Sequence, residues 1–431
     1  MYTICYICKK IALMKKIYTL LYILLLTSAL HAQSDFNSWF VDKTLRMDYS
    51  VLCDAKSQEA AFSSFHESDS WGGEKFVVDK CDYYGDYYMQ LSDALTDKIL
   101  YTYSYSNLTG EWQSTEMATE TKKVFRESVI MPMPKKKSVI KIYKQDSCDV
   151  YQLLLNKVFD PYEAKINYVN TKQYKTILQS NETEGTINFV ILPEWYSENE
   201  TEKFEKDAAK VAKWLSETEP YSDYKDKFNI YAVLPDGPTQ LTRALPQTKM
   251  NFKFNTLNIE RYIASFNIPQ IYNNAQSVPF RHVIVLINTF DYGGSGFYNT
   301  YTCLCIDNED CKSLFLHEFG HAFAGLGDEY EGNVTYKVKK NNCEPRYPNL
   351  TNLTNFSTKW EKYVDAGAPI PTPITRTDIE IGAYEGGGYS SKGIYRPSKN
   401  CRMRTKDASY YCKICHKIIE ETLQKQTATK K

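Results

Sequence analysis

Histidine is scarce in this chain: six residues in 431, at positions 31, 66, 282, 317, 321 and 416. Any metal centre built on imidazole must draw on that short supply. Basic blocks are lacking too. Lys135-Lys136-Lys137 follows two prolines and reads as a loop, so nucleic-acid binding is not indicated. No apolar run is long enough to cross a bilayer, which takes about 20 residues. The most apolar stretch, Ile17–Leu26, follows Lys15-Lys16 and leads into Thr27-Ser28-Ala29-Leu30-His31-Ala32. That is the pattern of a secretory signal spanning residues 1–32, with Met14 as the expected start and cleavage expected after Ala32. No cysteine stands at the cut, so a lipid anchor is not expected. Stable membrane insertion is not expected either. The destination is secreted or periplasmic. Removing residues 1–32 leaves 48 basic against 52 acidic residues, a mild negative balance with no field for polyanions. Ten of the 12 cysteines lie beyond residue 32, an even number compatible with disulfides in an oxidising compartment.

What is present is a run from His317 to Tyr330: His-Glu-Phe-Gly-His-Ala-Phe-Ala-Gly-Leu-Gly-Asp-Glu-Tyr. Histidines four apart stand one above the other on a helix. They can share one Zn2+, while Glu318 acts as general base on water bound to that ion. The same five-residue pattern also occurs in ordinary helices with two surface histidines, so the residues that follow it matter. Such a site needs a third protein ligand and one open position. Gly325 and Gly327 suit a helix cap and a tight turn, and they deliver Asp328, Glu329 and Tyr330 to the metal's neighbourhood. One of the two acids is the expected third ligand.

With these residues the chain resembles the IgA-peptidase family of zinc metallopeptidases, relatives of the metzincins. The resemblance rests on His317–Tyr330, on Val283–Phe297 with its Tyr-Gly-Gly-Ser-Gly-Phe ending, on Gly382–Pro397, and on Asn400-Cys401-Arg402-Met403-Arg404. An amino-terminal segment around Thr44–Asp69 adds to it. Metzincins place a glycine three residues and the third ligand six residues after the second histidine. Here those positions hold Ala324 and Gly327, and the pattern is stretched by one, to Gly325 and Asp328. The resemblance therefore implies Asp328 as third ligand and Glu329 as a structural acid behind it. It also implies Met403 as the methionine of a turn beneath the metal. Two residues beyond Met403, where several metzincins carry a tyrosine, stands Thr405, so no oxyanion role carries over. Tyr330, Tyr389 and Tyr395 are candidates for that role, but in a chain with 35 tyrosines each reads first as a packed aromatic.

Cys303, Cys305 and Cys311 precede the histidine run, and Cys401, Cys412 and Cys415 follow Met403's neighbourhood. Disulfides there would brace the site from both sides. Cys412-Lys-Ile-Cys415-His416 also matches a haem-attachment pattern. Structural disulfides or buried thiols are the expectation, and a zinc knuckle would need a fourth ligand that the sequence does not locate.

Strand-like runs at Thr44–Cys53, Lys75–Val78, Asp86–Leu91, Ile99–Ser106, Val124–Ile130 and Ser138–Lys144 indicate an all-β sandwich over 33–165. A polar linker, 166–184, leads to an α/β, metzincin-like catalytic domain over 185–425. There Ile187–Leu192, Phe228–Leu234 and Val283–Asn288 read as strands, and Glu200–Glu217 and Asn258–Phe266 as helices. The strand running into Tyr292–Gly296 is expected at the sheet edge beside the cleft, where it could receive an extended peptide. The amino-terminal region carries no constellation of reactive side chains, so it is expected to position or recognise substrate. A chain beginning near Tyr168 is expected to fold alone. The sequence thus points to a secreted, monomeric zinc endopeptidase acting on proteins or glycoproteins, with immunoglobulin A suggested only by the family name. Two other readings are a secreted glycan- or protein-binding protein with a non-catalytic zinc site, and a haem or thiol redox protein.

Overall fold

The computed structural model describes residues 36–145, 150–237, 250–332 and 343–429; the expected signal segment lies outside them. Among the described residues, no helix is long and apolar enough to cross a membrane. The amino-terminal region is β-rich. Its strands are β1 (Phe40–Cys53), β2 (Gln58–Ser68), β3 (Tyr87–Asp93), β4 (Ile99–Tyr105), β5 (Lys123–Pro134), β6 (Ser138–Gln145), β7 (Tyr151–Phe159) and β8 (Ile166–Tyr168). They form two four-stranded sheets, β5-β1-β2-β8 and β4-β3-β6-β7, antiparallel except where β8 joins β2. The inner faces meet through the Tyr49 and Tyr105 hydroxyls and through the Phe65 and Phe159 rings, 5.0 Å apart edge to face. β2 was not legible because Gln-Glu-Ala-Ala-Phe-Ser-Ser lacks β-branched residues. Its ladder with β1, from Thr44↔Ser68 to Cys53↔Gln58, supplies the stability instead. Lys75–Val78 is not a strand; only Val78 bridges to Tyr101.

Six further strands build a third sheet: β9 (Tyr174–Leu178), β10 (Ile187–Glu194), β11 (Phe228–Val233), β12 (His282–Ile287), β13 (Gly294–Phe297) and β14 (Tyr301–Cys305). Their order is β13-β14-β12-β10-β11-β9, parallel inside and antiparallel at both edges. The stretch read as a linker therefore holds two short strands: β8 closes the first sheet and β9 edges this one. Helices α1 (Thr201–Glu217), α2 (Ile268–Ala275), α3 (Cys311–Ala324) and α4 (Lys413–Gln426) accompany the sheet, together with the hairpin of β15 (Tyr384–Gly387) and β16 (Ser390–Arg396). α1 buries the expected stripe of Phe204, Ala208, Val211 and Leu215. The helix expected at 258–266 is displaced. Positive φ at Asn255, Leu257 and Asn258 breaks the run, and α2 starts later, with a proline in its first turn.

The continuous apolar runs of the central strands reflect cover on both faces. Phe189, Ile191, Ile284, Leu286 and Leu304 pack with α1, α3 and α4. The alternate residues Val190, Leu192, Val283, Val285 and Ile287 belong to the same buried cluster as Tyr49, Met89, Phe125 and Ile140 of the amino-terminal sheets. One face of the α/β sheet thus shares a buried cluster with the amino-terminal sheets, while the other face has a cluster of its own. Arg46 of β1 adds polar contacts, reaching Gln276 at 2.6 Å and Asn273 at 2.7 Å.

The edge strand is also reassigned. β12 is central, and the glycine run itself forms edge strand β13. The turn between β13 and β14 rests on β4 and the residues just after it: Ser106 N–H donates to Tyr298 O at 2.9 Å, and Asn299 Nδ2 donates to Ser104 O at 2.8 Å. Uncovering the five side chains on the shared face would forfeit about 1.5–3 kcal/mol each, comparable to the whole stability of a typical domain, roughly 5–15 kcal/mol. A chain beginning at Tyr168 is therefore expected to show no cooperative thermal transition by circular dichroism. A sharp transition in that truncated chain would mean that the halves fold independently.

Candidate active site

α3 is apolar almost all round: Leu314, Phe315, Leu316, Phe319, Ala322, Phe323 and Ala324 are buried, as a core helix requires. It stops at Gly325, which caps it in the left-handed region at φ 64°. Of the polar residues on its central turns, His317, Glu318 and His321 face a cleft of ≈ 550 Å³.

Each imidazole is oriented from behind. His317 Nδ1–H donates to the Arg402 carbonyl at 2.9 Å, and His321 Nδ1–H donates to the Leu326 carbonyl at 2.6 Å. Both Nε2 atoms are thereby left as lone-pair donors. They stand 3.1 Å apart and lie 3.1 and 3.2 Å from Asp328 Oδ1. Three donor atoms converge on one point.

Asp328 is held by Tyr389, whose hydroxyl donates to Oδ2 at 2.6 Å and lies 3.0 Å from the Tyr330 hydroxyl. The Tyr330 ring stacks on His317 at 6.2 Å. Tyr330 and Tyr389 thus belong to the site instead of being merely packed aromatics. Tyr395 does not: its backbone pairs with Thr351. Glu329 turns the opposite way, fully buried, accepting from Asn349 Nδ2 at 3.0 Å. Asn349 also brackets Gly327, accepting its N–H at 2.7 Å and donating to its carbonyl at 2.9 Å. No motif spacing in the sequence marks this residue.

Met403 is fully buried in a turn beneath α3, so near Gly320 that an added Cβ there would stand 2.8 Å from its Sδ. Its carbonyl accepts the Glu329 N–H at 2.8 Å. The same turn therefore supports His317, through Arg402, and the loop of Asp328. The remaining described histidines lie elsewhere: His66 pairs with Asp48 at 3.1 Å, His282 with Gln426 at 2.8 Å, and His416 sits on α4.

Burial and charge act against each other here. Burial lowers the pKa of both imidazoles, but Asp328 overrides it; His317 is raised, and His321 is raised to about 9. Asp328, which burial alone would raise, is held well below the usual carboxylate range by the two histidines. Burial lifts Glu318 above its ordinary value against the pull of the same histidines, and the Gly296 backbone N–H bonds its carboxylate. Gly296 is required for that approach, since a Cβ there would overlap the Glu318 carbonyl oxygen.

The far wall of the cleft comes from the amino-terminal region, through Tyr84, Asp86, Asn107 and Glu111. Arg346 pairs with Asp86 across it. Glu111, raised to about 7 mainly by burial, accepts from the Tyr262 hydroxyl at 2.6 Å. Of the cysteines expected to brace the site, Cys303, Cys311, Cys401, Cys412 and Cys415 are not disulfide-bonded, whereas Cys343 is.

A mixed α/β body with a β-rich amino-terminal half, and a cleft holding two helical histidines, an acid beside them and a second acid facing both rings, is an arrangement of the peptidase class. The chain belongs to the IgA peptidase M64 family: the family's sequence pattern matches residues 175–380 and 375–423, and that of the Peptidase M64 N-terminus matches residues 35–155. Among curated proteins, none matches the chain.

Two outcomes follow from this geometry. Asp328 raises the His321 pKa to about 9, so a cation held by this imidazole would displace a proton below that pH. Apparent zinc affinity, read by competition with a chromophoric chelator, should therefore keep rising with pH until about 9; a flat profile across neutral and mildly alkaline pH would contradict the arrangement. Gly296→Ala should cost about 1–3 kcal/mol in denaturant unfolding through overpacking and should slow hydrolysis by displacing Glu318. Unchanged stability and rate would show that β13 is not seated against α3 as described.

Proposed function

We propose that the protein is a secreted zinc-dependent endopeptidase. The observation that carries this reading is the convergence of His317 Nε2, His321 Nε2 and Asp328 Oδ1, with donor atoms within 4.8 Å of one another and Glu318 adjoining on the same helix. Two neutral imidazoles and one carboxylate fit a catalytic zinc, which keeps a fourth position open. When bound, zinc supplies Lewis-acid polarisation of water and of a scissile carbonyl. Asp328 is assigned as third ligand and Glu329 as a structural acid, because only Asp328 faces the histidines.

Glu318 accepts the proton of the attacking water and returns it to the departing amide nitrogen, the role of a general base that becomes a general acid. Its raised pKa brings it nearer to that two-way task, and the Gly296 N–H fixes its direction. Tyr389 holds the Asp328 carboxylate in place, and the Met403 turn holds the helix and the ligand loop together. The amino-terminal wall of the cleft, including Asp86, Asn107 and Glu111, contacts the polypeptide substrate and contributes selectivity instead of chemistry. Export, the monomeric state and a glycoprotein substrate such as immunoglobulin A belong to the same reading, motivated by the amino-terminal signal pattern and the family name.

Glu318→Gln should retain zinc and fold while losing about 10²–10⁴ in hydrolysis rate, the usual contribution of a positioned base. Near-full activity in that variant would remove the mechanism. Asp328→Ala should lose zinc at neutral pH in metal analysis. If Asp328→Ala keeps a full equivalent at the histidine site, the third ligand has been misassigned.

A further inference from the structure

Directly behind Asp328 lies a second donor cluster that the peptidase chemistry does not use. Glu329 comes from the ligand loop, Cys401 from the Met403 turn, and Cys412 and Cys415 from the start of α4. Their four donor atoms lie within 4.8 Å of one another. All four residues are shut away from solvent, with Cys412 the most exposed at 4%. The three thiols lie within hydrogen-bonding reach of one another. The Cys415 thiol reaches Glu329 Oε1 at 3.0 Å, and the Cys412 N–H donates to Cys401 Sγ at 3.2 Å. Glu329 Oε2, also buried, has no hydrogen-bond partner. A buried carboxylate oxygen left in that condition is costly.

Disulfide formation does not resolve the cluster, because three sulfurs cannot pair off. Any one bridge leaves a thiol and the carboxylate behind. A haem thioether does not resolve it either, since both cysteines of the Cys412–Cys415 pair are buried against the protein. One cation does. Around a tetrahedral zinc, with sulfur at about 2.3 Å and oxygen at about 2.1 Å, neighbouring donors stand about 3.6–3.8 Å apart, inside the observed span. A set of three thiols and one carboxylate is soft enough to favour zinc over hard cations.

We propose that Glu329, Cys401, Cys412 and Cys415 bind a second zinc in a closed structural site, separate from the His317–His321–Asp328 site. Bonds form from the metal to three sulfurs and one carboxylate oxygen, and the thiol protons pass to solvent. The ion ties the ligand loop, the Met403 turn and α4 together, and so holds Asp328 from behind.

The test uses the full mature chain carrying His321→Ala, so that failure of the catalytic reading does not affect it. Loaded with Co2+ under reducing conditions, this protein is expected to retain one metal per chain and to show strong sulfur-to-cobalt charge-transfer absorption in the near ultraviolet, which nitrogen and oxygen donors do not produce. Cys415→Ser in the same background should abolish the band. Should that variant fail to fold, thiol alkylation and intact mass of the otherwise unmodified chain decide instead: three cysteines of the cluster protected from alkylation until a chelator is added would support the site. Absence of the band in the His321→Ala protein, or an intact mass showing a disulfide within the cluster, would overturn it.

Discussion

One turn of backbone, Arg402–Met403, carries the site. The Arg402 carbonyl fixes the His317 ring at 2.9 Å, and the Met403 carbonyl fixes the Glu329 N–H, one residue beyond Asp328, at 2.8 Å. The helix and the loop beyond Gly325, also linked by the His321–Leu326 hydrogen bond, are thereby locked in mutual register. The constraint is geometric: donors must be held to a fraction of an ångström before a cation arrives, and imidazole can offer Nε2 only if Nδ1 is committed elsewhere. The site depends on two backbone carbonyls for that commitment and on the Tyr389 hydroxyl to hold Asp328.

The second constraint is the shared core. One face of the α/β sheet is covered by its own helices and the other by the amino-terminal sheets, so the β-rich half is part of the scaffold that aims β13. Through Ser106 and Ser104 it holds the β13–β14 turn, and β13 in turn places Gly296 against Glu318. Residues that line the cleft together with the histidines, Asp86 and Glu111 among them, come from the same half. Stability and cleft shape are thus coupled: a substitution that loosens the amino-terminal sheets reaches Glu318 through β4 and β13.

Much of this was legible in the chain because it follows local periods. The spacing of His317 and His321 sets both rings on one helical face, and apolar runs such as Ile187–Leu192 and Val283–Ile287 read as buried strands. What was not legible depends on contacts distant in sequence. Asp328 and Glu329 are neighbours with the same chemistry, yet one faces two imidazoles and the other three thiols; only the path of the turn between Asn349 and Met403 separates them. Tyr389 looks like any other tyrosine until the hairpin of β15 and β16 brings its hydroxyl to Asp328. The glycine run at 293–296 reads as a flexible turn or the tail of a strand, whereas pairing with β14 makes it the edge strand itself. α2 was placed too early because the left-handed residues at Asn255, Leu257 and Asn258 leave no signature in apolar spacing.

The most direct test of the central claim is hydrolysis of an unfolded protein by the purified chain before and after metal removal. Stripped with a strong chelator and then dialysed free of it, the protein should cleave nothing, and added zinc should restore cleavage. Undiminished hydrolysis by protein shown to contain no metal would contradict the account, because His317, His321 and Asp328 would then be holding no ion that the reaction needs.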